Sequence, residues 1–399
     1  MANEDDDLEE DIGSSVLPVE VEQAAVPIAL DTLQPWHRPR KQYVRERQWQ
    51  SCTRHLIQRL QRSQAPSLRD GKLNYMTLPG IDHFDVEVIG QTVNAEGLKL
   101  EATGFMSEAE SHPIKARSQV RADALIKRGL MVDTSITFPY SFEDLSSRRT
   151  QAYREIKSRA PFHIINVDAC GSIALPRAQQ SSRIINALHS LIELQFETMN
   201  DPWTLFLTTD ARPENLSPEV IEALDDAIRQ NAADSDTFRD GAIGCIGVDG
   251  QDIEAALASA HDDPNRFVNK YSLGLSKWLL HNAAEQGWDL KSKVFFCYST
   301  RPSEDNDVSM PCLAFEFRRR PLLMDDPFGA VQNRNPPQEA PIDFSAIALQ
   351  RATEMENLDQ LFAEDDEVRR EFSQKQRNLL EIAGYSADAL DEFDAQFMG

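Results

Sequence analysis

Short apolar runs alternate along this chain with longer stretches of helical periodicity. The clearest run is Phe162-His163-Ile164-Ile165-Asn166-Val167-Asp168, followed by Ala169-Cys170-Gly171-Ser172. An apolar run of this length predicts a strand buried on both faces, as in a parallel sheet. Trp203–Thr208 (WTLFLT) repeats the pattern and ends at Thr209-Asp210. Lys72–Leu78, Leu98–Phe105 and Val132–Phe138 read as three further strands, the first closed by Pro79-Gly80. Helices are predicted between them over Ile81–Val93, Ile114–Arg128, Ser146–Arg159 and Arg177–Met199. In the last, Ile184, Leu188, Leu191, Ile192 and Leu194 form the apolar face. Ser217–Gln230 predicts another helix, with Ser217 as N-cap and Pro218 in its first turn. Residues 231–264 read as less regular and lead to a helix over Asn265–Gln286. Two strands close the series, Lys291–Thr300 and Pro311–Arg318. The polar connector Arg301–Met310 holds only ten residues, so these two should pair antiparallel.

The ends differ from this middle. Residues 1–31 hold ten acids and no Lys or Arg, and 1–34 read as a disordered tail. Residues 36–72 hold ten bases and two acids. Within them Val44, Trp49, Cys52, Leu56 and Leu60 recur at helical spacing, so 35–71 read as one basic amphipathic helical segment. Residues 321–342 are a Pro/Asn/Asp-rich linker. Residues 343–399, with fourteen acids and five bases, read as an acidic helical arm. The expected fold class is α/β: a doubly wound mixed sheet over 72–320, with a final antiparallel hairpin and helical extensions at both ends.

Charge and cysteine usage narrow the function. A net charge of −24 argues against indiscriminate binding to nucleic acid. The five cysteines include no C-x-x-C pair, which disfavours a disulfide framework and a zinc ribbon. The eight histidines are scattered, which disfavours a metal site. No apolar run reaches membrane-spanning length and the N-terminus is no signal peptide, so a cytoplasmic location is expected. No G-x-G-x-x-G stands between the first strand and helix and no P-loop is present, which disfavours a nicotinamide dehydrogenase or an NTPase. Gly244-x-x-Gly247-x-x-Gly250 comes too late in the chain for that role.

Five strand–helix units followed by a hairpin resemble the class I S-adenosylmethionine-dependent methyltransferase fold over roughly residues 72–320. The resemblance implies S-adenosylmethionine as cofactor. It places the cofactor loop on Thr77-Leu78-Pro79-Gly80, the ribose-binding acid on Glu108 (or, less well, Glu101), and the adenine-side polar residues on Glu143 or Asp144. Asp168-Ala169-Cys170-Gly171-Ser172 is similar to the acid-x-x-Gly-Ser pattern of some RNA guanine methyltransferases, which implies that Asp168 and Ser172 orient the acceptor. The first loop has one glycine where the family usually has two or three, and Pro79 removes an N–H donor.

Each of these residues also has a plainer reading. Asp168 can cap the following helix, and Gly80, Gly171 and Ser172 can serve tight turns. Cys170 reads as an inert buried thiol, His163 as a core histidine, and Glu108, Glu143 and Asp144 as solvated loop charges. Trp36, Tyr43, Trp49 and the arginines among them can grip nucleic acid, or dock on an acidic surface of this chain or of a partner. Two functions follow. One is a methyltransferase, with nucleic acid as a possible acceptor. The other is a non-catalytic subunit on a degenerate methyltransferase-like fold. It would meet protein partners through the Trp36–Arg62 helix and the acidic arm, in a bacterial nucleic-acid-processing or defence complex.

Overall fold

The computed structural model describes residues 32–107, 110, 112–169, 171–175, 183–248, 250–299, 308–320 and 343–398. Glu108, Cys170, most of the acidic tail and the 321–342 linker lie outside the described residues.

The strands are β1 (Lys72–Thr77), β2 (Lys99–Phe105), β3 (Ile136–Phe138), β4 (Ile164–Asp168), β5 (Trp203–Thr208), β6 (Trp288–Ser292), β7 (Phe296–Tyr298), β8 (Met310–Arg319) and β9 (Glu356–Asn357). They form one nine-stranded sheet in the order β3-β2-β1-β4-β5-β8-β7-β9, with β6 also paired to β8. β1 to β5 are mutually parallel, and β8 runs antiparallel to β5, β6 and β7. This is the expected doubly wound mixed sheet with its closing hairpin. The chain winds outward in one direction through β2 and β3 and in the other through β4 and β5. The switch point therefore lies between β1 and β4, and ligands of open α/β sheets bind outside the strand ends there.

The helices are α1 (Pro39–Tyr43), α2 (Ser51–Arg62), α3 (Phe84–Ala95), α4 (His112–Lys127), α5 (Gln151–Arg159), α6 (Arg183–Thr198), α7 (Pro218–Asp234), α8 (Asp236–Ile246), α9 (Ile253–Ser259), α10 (Pro264–Glu285), α11 (Phe344–Thr353), α12 (Leu358–Glu364), α13 (Asp366–Ile382) and α14 (Ala387–Phe397). Residues 231–264, expected to be irregular, contain α8 and α9. Ser235 and Asp252 cap these helices through side-chain oxygens that accept from Phe238 N and Ala255 N. The long strand expected over Lys291–Thr300 is broken at 293–295 into β6 and β7. Gln48 Nε2 reaches that break and donates to Val294 O and Cys312 O, both at 2.8 Å.

The two extensions are built into the sheet layers. α1 continues through a π-helical stretch, Val44–Gln50, into α2. Trp49, Leu56, Ile57 and Leu60 pack in one core with Leu73, Tyr75 and Val86, and Trp49 lies 6.0 Å from the Phe206 ring. β9 extends the sheet beside β7. α13 crosses the N-terminal helix, with Tyr43 4.8 Å from the Phe372 ring, and α13 and α14 close over Phe84 and Val88 of α3. The Trp36–Arg62 helix, expected to dock on an acidic surface of this chain or of a partner, thus buries its apolar face within this chain. Two of its cations pair with acids of the same chain, Arg40 with Asp359 at 2.5 Å and Arg59 with Glu316 at 3.0 Å.

Candidate functional site

A cavity of about 450 Å³ opens at the switch point. Its floor is the loop after β1 (Leu78, Pro79, Gly80) and the end of β4 (Asp168, Ala169). The start of α3, from Asp82 to Asp85, forms one wall, and Asp210 and Arg212 after β5 form another. Trp36, Arg38, Lys41 and Arg45 cover it from the N-terminal segment, while Tyr298 and Met310 border it from the hairpin. This volume suits a small organic ligand.

Two glycines shape the floor. Gly80 has φ +58°, where a β-carbon is strained, and the space beside it is open. Gly104 on β2 lacks a β-carbon that would fall 3.0 Å from Pro79 Cγ, so the β1 loop can lie close on β2.

Asp168 follows four buried strand residues, and its carboxylate emerges at the cavity. Lys41 Nζ meets Asp168 Oδ1 at 2.5 Å and donates to Thr208 Oγ1 at 3.2 Å. It thereby ties the paired ends of β4 and β5 together, since Asp168 and Thr208 are opposite in register. The ammonium also sits 4.8 Å from the Trp49 ring centroid, a favourable cation–π placement.

Asp85 is buried and accepts hydrogen bonds from Tyr75 Oη at 2.8 Å and from the Thr77 hydroxyl. Burial pushes its carboxyl up to about 6, against the pull of those two hydroxyls. Asp82 accepts from His37 Nε2 at 2.9 Å, Tyr385 Oη at 3.0 Å and Arg117 Nη2 at 3.1 Å. Burial pushes Asp82 up, but these partners outweigh it and hold the carboxyl below its ordinary value. Gln34 N donates to His37 Nδ1, which leaves the ring proton on Nε2, facing Asp82. Burial lowers His37 despite that carboxylate. His83, left-handed at φ 51°, bonds Ser118 Oγ at 2.8 Å through Nε2, and burial lowers it to about 4.

The residues expected from sequence are placed unevenly. Gly80 and Asp168 meet at the cavity. Thr77 lies just behind it, bonded to Asp85. Ser172 is buried in a turn where its hydroxyl accepts from Ala174 N at 3.1 Å, and it does not line the cavity. Glu143 and Asp144 lie in a short 3-10 turn after β3 and do not line the cavity. Glu101 sits within β2, paired with Lys72 and Arg159. His163 is a core histidine whose Nδ1 accepts from Asn74 N. Among the described residues no cluster of His, Cys, Asp or Glu is arranged to hold a metal, and no helix is long and apolar enough to cross a membrane.

Sequence reasoning missed Lys41, Arg45, Asp82, Asp85 and Arg212. Asp210 carried a signal similar to that of Asp168, an acid at the end of a buried strand, and it accepts from Arg212 Nη2 at 2.5 Å. No curated protein matches the sequence. Residues 30–395 match the family model described as PP_RS20740-like, and the chain belongs to that family.

Proposed function

We propose that the switch-point cavity binds an adenosyl ligand of the S-adenosylmethionine type and that the protein is methyltransferase-like. The observation that carries this reading is the cavity itself, bounded by the left-handed Gly80 turn after β1 and by Asp168 at the end of β4. The open space beside Gly80 and the apolar Leu78, Phe84 and Met310 suit a nucleoside. Gly80 and Leu78 would lie against the ligand, and Asp168 would orient a polar group of the ligand or of an acceptor. S-adenosylmethionine, when bound, supplies an electrophilic methyl group. Nucleic acid is the acceptor class expected from the sequence, and RNA and DNA are therefore the acceptors to test.

A second reading, a non-catalytic subunit of a protein complex, is favoured by one contact. Lys41 engages Asp168 at 2.5 Å, so the carboxylate that would serve an acceptor already has a partner. Calorimetric titration with S-adenosylmethionine and S-adenosylhomocysteine separates the outcomes. Micromolar binding that Gly80→Val abolishes supports the ligand site. Binding without methyl transfer to RNA or DNA favours the second reading, and no binding at millimolar ligand removes the proposal.

A further inference from the structure

Buried charges in folded proteins are almost always paired. Several charges of the cavity wall follow this rule. Asp168 has Lys41, Asp82 has Arg117 and His37, and Asp210 has Arg212. Arg45 is only 3% exposed and lines the same cavity. Its Nη1 donates to Gln376 Oε1 and its Nη2 to Trp36 O, each at 3.0 Å. Both acceptors are neutral. Its Nε–H has no partner, and no carboxylate of the described residues lies at ion-pair distance. The Phe84 ring, 5.4 Å away, contributes only a weak cation–π contact. Burial lowers this arginine, and the more distant Asp168, Asp85 and Asp82 only partly oppose that.

We infer that Arg45 is the anion-reading residue of the cavity, and that its ligand carries a carboxylate or phosphate. An anion in the cavity would supply the missing countercharge, in surroundings where water screens it little. The π-helical stretch that carries Arg45 agrees with this role, because such bulges concentrate at functional sites. The inference rests on the cavity being a ligand site, as proposed above, and adds the charge of the group it recognises.

Three adenosine probes test it on the full chain: S-adenosylhomocysteine (a carboxylate), adenosine monophosphate (a phosphate) and 5′-methylthioadenosine (neither). The wild type should bind one of the two anionic probes at least tenfold more tightly than 5′-methylthioadenosine. Which one it prefers distinguishes carboxylate from phosphate. Arg45→Gln should erase that gap and leave 5′-methylthioadenosine binding unchanged. Equal affinities in the wild type, or an intact gap in the variant, overturn the inference. If no nucleoside binds, the adenosyl reading fails, and inorganic phosphate then decides the anion question. Phosphate should raise the wild-type melting temperature above that in chloride of equal ionic strength, and should not do so for Arg45→Gln. Equal shifts in both proteins overturn it. If Arg45→Gln does not fold, Arg45→Met takes its place in both arms.

Discussion

In the helical lobe formed by α7 to α10, Lys270 is buried against Asp225 at 3.1 Å, with Leu257 O at 3.3 Å and His261 Nε2 at 3.0 Å as further partners. Only about 10 Å³ of space adjoins them. At the strand ends Arg45 is as deeply buried, yet it has no carboxylate partner and borders about 450 Å³. Both cations suffer from burial, which lowers each. The lobe resolves the cost inside the protein, where the pair fixes α7 on α10. The cavity leaves it open to something that enters. A buried charge is therefore structural or functional according to its partner and the space beside it.

The largest expected effect lies in the lobe. Lys270→Met leaves Asp225 as a buried anion without its partner and should cost about 3–5 kcal/mol, read from urea unfolding followed by tryptophan fluorescence. A loss below about 1 kcal/mol would mean that the pair behaves like a surface salt bridge.

Asp85 comes next. Its folded-state value of about 6 lies above the ordinary 3.8. Well below pH 4 the carboxyl is protonated whether the chain is folded or not. Between 4 and 6 the folded protein holds a proton that the unfolded chain has released, so stability from this group falls as pH rises through that window and is level above it. One pH unit is about 1.4 kcal/mol, so the whole change is about 3 kcal/mol. Asp85→Asn should flatten the fall in melting temperature between pH 4 and 6, and an unchanged profile would show that Asp85 is better solvated than its burial implies.

Arg45→Met, in contrast to Lys270→Met, should cost only about 1–2 kcal/mol in ligand-free protein. It leaves Gln376 Oε1 and Trp36 O without a donor but removes an unmatched charge. A loss as large as that of Lys270→Met would erase the distinction between the two regions. Ser172→Ala should have the smallest effect: a slight loss of stability, and ligand affinity equal to wild type by calorimetry. A fall in affinity would return Ser172 to the site.

The sheet was legible because β4 and β5 are unbroken apolar runs and their order with the hairpin fixes a doubly wound topology. Asp168 and Gly80 were legible by the same logic, one as the last residue of β4 and the other in the turn after β1, both at the switch point. Lys41 and Arg45 were not, because a basic amphipathic helix looks alike whether its cations face solvent, a partner or a cavity. Their role arises only when Trp49 packs on Phe206 and fixes which face points at the strand ends. Asp82 and Tyr385 are 303 positions apart and meet only when α13 and α14 fold back on α3. Glu143 and Asp144 do not line the cavity: β3 is three residues long, and the chain turns into a 3-10 segment after it.

Photocrosslinking of radiolabelled S-adenosylmethionine to the full chain, followed by peptide mapping, tests the location of the site most directly. The account predicts label on the cavity-lining peptides that carry Trp36 or Tyr298, and loss of that label in Gly80→Val but not in Ser172→Ala. Label on the α7–α10 lobe, or label that Gly80→Val leaves intact, would contradict it.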